Sequence, residues 1–307
     1  MHPGGSGTRR GSSTYVISLT PFTADHRLDE AGLRGHLRRM ADAGVGVYLG
    51  GSGSGEGYTL SPDEHRRVLE IGVEELSGRV AVRAMGVEPR TAAQMIELAV
   101  LAAEVGVDAM QCYSLDQGHG NRPSPRELER YLVEVLDAAQ LPVVLSSHQA
   151  VGYFIPPPLM ASLLDRHENI VGVNVTNSDV SYLLRVIEAV DGRAEVHVGG
   201  PMLALNCLAM GGPGFLSSDA NLAPRLCNSV VTRWDVQDLA GAVDSYQRLM
   251  RLFAATREQG GIVATKAALG LLGLPGGVPR PPRLPVPDDR LPALRVALLD
   301  GLELSDM

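Results

Sequence analysis

The sequence predicts one (β/α)8 TIM barrel with a C-terminal helical extension. Three observations predict it. Eight short runs alternate with amphipathic stretches along 307 residues, the βαβα order of a parallel sheet. The runs are mostly apolar throughout, as strands buried on both faces are. The first run ends Ser18-Leu19-Thr20-Pro21-Phe22, without the Gly-x-Gly-x-x-Gly turn that an open dinucleotide-binding sheet would place there.

Taken in order, residues 1–13 are Gly-, Ser- and Arg-rich with no apolar run. They are expected to form a disordered leader, not a secretory signal. The barrel is expected over 14–225. Its strands are placed at Tyr15–Leu19, Val45–Leu49, Val80–Met85, Asp108–Tyr113, Pro142–Ser146, Ile170–Val175, Glu195–Val198 and Gly214–Ser217. Ser61-Pro62-Asp63-Glu64 and Ser124-Pro125-Arg126-Glu127 each read as a capping box with proline at the first helical position. The helix from Thr91 sets Met95, Ile96, Ala99, Val100 and Ala103 on one face and stops at Gly106. A helical extension over 226–307 is expected to pack on the barrel. Helix runs from about Pro224 to Gly260, Arg280–Arg290 is a Pro-rich irregular connection, and a last helix spans Leu291–Leu302.

Composition narrows the function classes. Apolar residues make up 45% and charged residues 20%, enough for a large core, but aromatics are only 4%. The net charge of −8 argues against a nucleic-acid partner, which would want a basic stripe. Cys112, Cys207 and Cys227 form no Cys-x-x-Cys pair, which suits a reducing cytoplasm. No run reaches 18 uninterrupted apolar residues, so no spanning helix and no membrane partner is expected. Nothing calls for an organic cofactor. Lys266 is the only lysine in the chain.

In a barrel the chemistry lies at the C-terminal strand ends. After the second strand comes Gly50-Gly51-Ser52-Gly53-Ser54-Gly55-Glu56. Such a run either turns Ser52, Gly53 and Ser54 inward as an anion nest for a carboxylate or phosphate, or is a flexible turn. The other strand ends supply Arg83, Tyr113, Ser114, Asp116, His119, Ser146, His148, Asn174, Thr176, His197 and Ser218.

The order of motifs resembles the dihydrodipicolinate synthase / N-acetylneuraminate lyase family. Ser52-Gly53-Ser54-Gly55-Glu56 is similar to its Gly-Thr-Thr-Gly-Glu. Leu19-Thr20-Pro21-Phe22 is similar to its first strand, and Asn121-Arg122-Pro123-Ser124 to its Asn-Arg-Pro-Ser. Gly211-Gly212-Pro213-Gly214-Phe215-Leu216-Ser217 with Ala220-Asn221 is similar to its Gly-Gly-x-Gly-x-Ile-Ser…Ala-Asn. The resemblance covers about Tyr15 to Leu302. It implies a (β/α)8 barrel with a C-terminal helical extension, a homo-oligomer (dimer or tetramer), and chemistry on 2-oxo acids.

The departures bear on mechanism. The family's sixth strand reads Gly-x-Lys, and that lysine forms the Schiff base; here Gly172-Val173-Asn174 puts Asn174 in its place, and an amide nitrogen forms no imine. The proton-relaying tyrosine of strand five is Ser146. The Thr-Pro-Tyr-Tyr of strand four is Ser114-Leu115-Asp116-Gln117, followed by an apparent Gly118-His119-Gly120 insertion. The arginine that binds carboxylate after strand five has no clear counterpart. Lys266 resembles a family lysine that is not the Schiff-base residue.

The expected function is therefore a lyase-like enzyme acting on a small carboxylate-bearing oxo acid or related metabolite, without a Schiff base, in specialised metabolism. Its catalytic candidates are Asn174, orienting a carbonyl as an oxyanion-hole amide does, His148 as acid/base, Tyr113 as a phenol donor, and Ser146. Its substrate-binding candidates are Ser52, Gly53, Ser54, Arg83, Asp116 and Ser218. Each has a plainer reading: Arg83 as half of an internal ion pair, Tyr113 and Cys112 as core residues, the histidines as loop residues. Two other functions stay open: a non-catalytic pseudoenzyme binding a ligand or a protein, and a metal-assisted hydrolase or aldolase using Asp116, His119, His148 and His197.

Overall fold

A computed structural model describes residues 13–116, 123–148 and 154–307. Eight parallel strands close in sequence order into a barrel: β1 (Ser13–Ile17), β2 (Gly46–Leu49), β3 (Val82–Ala84), β4 (Ala109–Cys112), β5 (Val143–His148), β6 (Ile170–Thr176), β7 (Glu195–Gly199) and β8 (Gly214–Ser217). Helices α1 (Glu30–Asp42), α2 (Pro62–Leu76), α3 (Ala92–Val105), α4 (Pro125–Ala138), α5 (Pro157–Leu164), α6 (Val180–Val190), α7 (Ala204–Ala209) and α8 (Pro224–Asp235) follow the strands in turn. Helices α9 (Leu239–Glu258), α10 (Ile262–Leu271) and α11 (Leu291–Leu298) complete the chain. Both capping boxes form: Ser61 and Ser124 accept from the amides of Glu64 and Glu127, whose carboxylates reach back. Among the described residues no helix is long and apolar enough to cross a membrane.

Several boundaries differ from the sequence expectation, and four have a clear physical reason. First, β1 begins at Ser13, which pairs with Gly214, so the expected leader loses its last residue to the sheet. The strand ends at Ile17 because the side-chain amide of Asn221 takes the Ile17 carbonyl (2.9 Å) and the Leu19 amide (2.9 Å). Second, β3 is shorter, since Asp108 Oδ2 takes the Val82 amide (2.7 Å). Third, β5 runs on to His148 because β6 continues beside it to Thr176. Fourth, the expected helix 224–260 breaks at Gln237, whose φ is 62°, and Asp238 caps a new one. The expected boundary at 225/226 falls inside α8.

The apolar core lies between strands and helices, with Leu33, Leu37, Leu69, Leu132 and Val230 buried. The bore is filled differently. Bores of this fold are usually packed with branched aliphatics; here Tyr15, Tyr48, Arg83, Gln111, Asn174 and His197 are buried. Arg83 lies over the Tyr15 ring at 4.3 Å and bonds Glu195 (2.8 Å) and the Tyr48 hydroxyl (2.9 Å).

The seam between β8 and β1 is held by Asn221. Its Oδ1 also accepts from His36 Nε2 on α1 (3.0 Å), and its Nδ2 reaches the Ser218 carbonyl (2.8 Å). Burial, reinforced by Arg39, pulls His36 from 6.5 to about 3. Burial likewise pulls His197, bonded to Ser13 Oγ (2.8 Å), to about 4. Both depressed values mean that the unfolded chain binds protons the fold refuses. Their contribution is intact above pH ~6.5 and is lost as pH falls toward their folded values. Between pH 6.5 and 4, stability is expected to drop by about 1.4 kcal/mol per pH unit for each histidine. Urea midpoints at several pH values check this, and His36→Gln should flatten the slope; an unchanged slope would contradict it.

Candidate functional site

Which residues reach the barrel mouth depends on a bulge in β6. Val143 pairs with Ile170, but Val144 pairs with Gly172, leaving Val171 extra. A one-residue insertion moves every later side chain to the other face. Past it, Ser146 lies beside Asn174 and His148 beside Thr176, and all four line one cavity of ≈ 530 Å³ at the C-terminal strand ends. Gly199 of β7 completes this wall. A Cβ there would meet Thr176 Oγ1 at 1.9 Å, so the position excludes any side chain.

The rest of the cavity comes from distant segments. Ser52 and Gly53 enter from the β2 loop, Glu88 from the β3 loop, Gln111 and Tyr113 from β4 and its end, and Phe253 and Arg257 from α9. Ser52 Oγ donates to both oxygens of Glu88 (3.0 and 2.8 Å). Asn174 Nδ2 donates to Gln111 Oε1 (2.6 Å) and to the Tyr48 hydroxyl (3.1 Å). Burial pulls the His148 imidazole below its ordinary range, and the Glu88 carboxylate pulls it back up. Burial, with Glu88 and Tyr48 adding, lifts the Tyr113 phenol well above its usual value, so it stays a proton donor. Gln111 hydrogen-bonds that phenol.

Of the residues expected from sequence, Asn174, His148, Tyr113, Ser146, Ser52 and Gly53 meet at this cavity. Others do not. Arg83 is spent inside the bore on Glu195, which begins β7, and does not line the mouth. Asp116 faces Arg90 (3.4 Å) at a larger cavity, ≈ 750 Å³, between α2 and α3. Glu88 borders both cavities. Ser218 opens the short turn Ser218–Asn221 and gives its carbonyl to Asn221. Ser54 is buried and does not line the mouth.

The segment expected as an anion nest folds back on itself at its far end. The Gly57 amide bonds the Gly51 carbonyl (3.0 Å) and the Glu56 amide the Gly53 carbonyl (3.3 Å). A Cβ on Gly57 would sit 2.1 Å from the Gly50 carbonyl oxygen. Both amide N–H groups of Asn174, expected to orient a carbonyl, have acceptors within the barrel. His197 is held by Ser13 in the bore and His119 lies outside the described residues; among the described residues no group of three or more His, Cys, Asp or Glu side chains could hold a metal ion.

Glu88 and Arg257 were not found from sequence. Glu88 lies in a loop without periodic signal, and Arg257 closes a helix far along the chain from any strand end.

Lys266, on α10, is buried away from the mouth. Its ammonium is paired with the buried Glu56, donates to the Val278 carbonyl (3.1 Å), and lies 4.6 Å from the Phe22 ring centroid. Burial pulls its pKa down against the opposing pull of Glu56. Glu56 adopts a left-handed backbone (φ 50°) and keeps Oε1 unpartnered.

The model of the dihydrodipicolinate synthetase family matches residues 10–300. A 4-hydroxy-tetrahydrodipicolinate synthase of Methanopyrus kandleri is 32% identical over 279 residues, 90% of this chain and 92% of that protein. The enzyme of that name from Agrobacterium fabrum is 34% identical over 263 residues, 82% and 84% of the two chains. A solved prophage protein of the dihydrodipicolinic acid synthase family from E. coli K12, in complex with pyruvate, superposes with a TM-score of 0.85 at 28% identity, covering 94% and 98%.

The Lys266–Glu56 pair makes a separable prediction. Lys266→Met leaves a buried carboxylate unpaired and is expected to cost about 3–5 kcal/mol. Adding Glu56→Gln should recover most of it. Urea unfolding of the two single variants and the double variant checks this; simple additivity would refute the pairing.

Proposed function

The chain belongs to the dihydrodipicolinate synthetase family, and from that premise we propose a divergent lyase that works without a Schiff base. It acts on a small carboxylate-bearing oxo acid or related metabolite by acid/base catalysis in the barrel mouth. One observation carries the reading. The mouth is lined by Asn174 from β6, while the chain's only lysine is buried elsewhere against Glu56. An amide cannot form the imine on which lysine-based aldol chemistry turns.

The mouth holds titratable groups suited to the alternative. His148, neutral through burial and facing the Glu88 carboxylate, takes a proton from the substrate. Tyr113, kept protonated by burial, returns one to the developing oxyanion. Ser146 and Asn174 form the wall against which the substrate lies. A rebuilt polar mouth favours catalysis over a non-catalytic binding role. Three free, buried cysteines fit a cytoplasmic setting.

Incubation with pyruvate and borohydride is expected to leave no covalent adduct by intact mass. An adduct mapped to Lys266 would overturn the mechanism. We also propose a homo-oligomer, a dimer or tetramer. Val87 and Val100 stay exposed near the outer faces of α2 and α3, apolar surface that a second copy would cover. Light scattering should give two or four times the chain mass; a monomer at micromolar concentration would refute this.

A further inference from the structure

The mouth has a polarity opposite to that suggested by its loop sequence. Its inner wall accepts hydrogen bonds. Both Nδ2 hydrogens of Asn174 have acceptors, the Tyr48 hydroxyl and Gln111 Oε1. Tyr48 is itself fixed by Arg83 Nη1 (2.9 Å), which Glu195 holds in turn. Asn174 Oδ1 therefore remains, with no partner among the described residues and in a side chain only 2% exposed. An unmet buried carbonyl is unfavourable, a cost relieved by any ligand that donates to it.

The second acceptor is Glu88. Ser52, in the segment expected to cradle a ligand carboxylate, instead orients the Glu88 carboxylate. No cation pairs with Glu88 among the described residues. The anion of the mouth is thus supplied by the chain. A ligand oxygen that only accepts, such as a ketone, would be repelled there; a hydroxyl or ammonium would be held.

The cation is on the opposite side. Arg257, in the last turn of α9, lines the same cavity with its guanidinium 5.3 Å from the Phe253 ring. Among the described residues it makes no ion pair. A guanidinium leaning on an aromatic ring is a ready partner for a carboxylate.

We infer that the mouth takes a small hydroxy acid or amino acid, with its hydroxyl or ammonium on Glu88 and Asn174 Oδ1 and its carboxylate on Arg257. This narrows the proposed function and rests on it, since both place the substrate in the mouth. It assigns Glu88, Asn174 and Arg257 as specificity-determining residues, and it ranks oxo acids below their hydroxy and amino counterparts.

The test is calorimetric titration of the full-length protein with matched sets on one carbon skeleton each: pyruvate, lactate and alanine; oxaloacetate, malate and aspartate; 2-oxoglutarate, 2-hydroxyglutarate and glutamate. In at least one set the hydroxy or amino member is expected to bind about tenfold or more tighter than the oxo acid, a difference of about 1.4 kcal/mol. Glu88→Gln should erase that order, and Arg257→Met should weaken every member of the set. Ser52→Ala, which keeps the charge but releases the carboxylate, should give a smaller loss and carries the test if Glu88→Gln does not fold. An oxo acid bound as tightly as its partners, or an order unchanged in these variants, overturns this inference and leaves the proposed function standing. No binding in any set overturns both.

Discussion

A buried ion pair is the central tie between the two parts of the chain that build the mouth. Lys266 comes from the helical extension, Glu56 from the turn after β2, and among the described residues neither side chain forms another ion pair. Two charges brought out of water stay ionised only while each holds the other, so the pair fixes where α10 sits relative to the barrel. The Val278 carbonyl joins it, and Val278 bridges to Phe22 just past β1. Arg280, two residues on, clamps Glu64 at the start of α2. The extension is thereby anchored at several points of the barrel rim. With α10 anchored, α9 immediately before it presents Phe253 and Arg257 over the strand ends.

The same pair shapes the turn. Glu56 adopts a left-handed backbone, uncommon for a residue with a side chain, and the glycines on either side let the loop fold back on its own carbonyls. That folding aims Ser52 at Glu88. Family resemblance and local composition both drew attention to this segment. They did not reveal that Ser52 donates to a carboxylate belonging to the protein, Glu88.

Much of the fold was legible because it is written in local terms. Apolar strand runs, two capping boxes and the stop at Gly106 depend on neighbours within a few residues, and the structure has each of them. The misread positions depend on partners far along the chain. Leu19 continues an apolar run, yet leaves the sheet because Asn221, some two hundred residues later, takes its amide and the Ile17 carbonyl. Arg83 has the chemistry of a carboxylate binder but meets Glu195 first. Glu88 and Arg257 carry no periodic or motif signal, and only closure of the barrel and the return of α9 bring them to one cavity. Polar groups at the mouth were legible as a set; which of them donate and which accept was not, because that depends on partners such as Tyr48 and Gln111.

The bulge at Val171 shows how such a mouth changes in evolution or by design. From Gly172 to Thr176 the strand alternates small or polar residues toward the bore with valines toward the helices. Deleting Gly172, just past the bulge, would place Val173 and Val175 at the mouth and push an amide and a hydroxyl into the aliphatic layer. Both faces would then be wrong at once. Past the bulge, single-residue insertions and deletions are therefore closed routes, and new chemistry at this end of the sixth strand has to arrive by substitution in a locked frame. A lysine set at position 174 would inherit the neighbours of Asn174, with Tyr48 and Gln111 as its acceptors and Glu88 across the cavity.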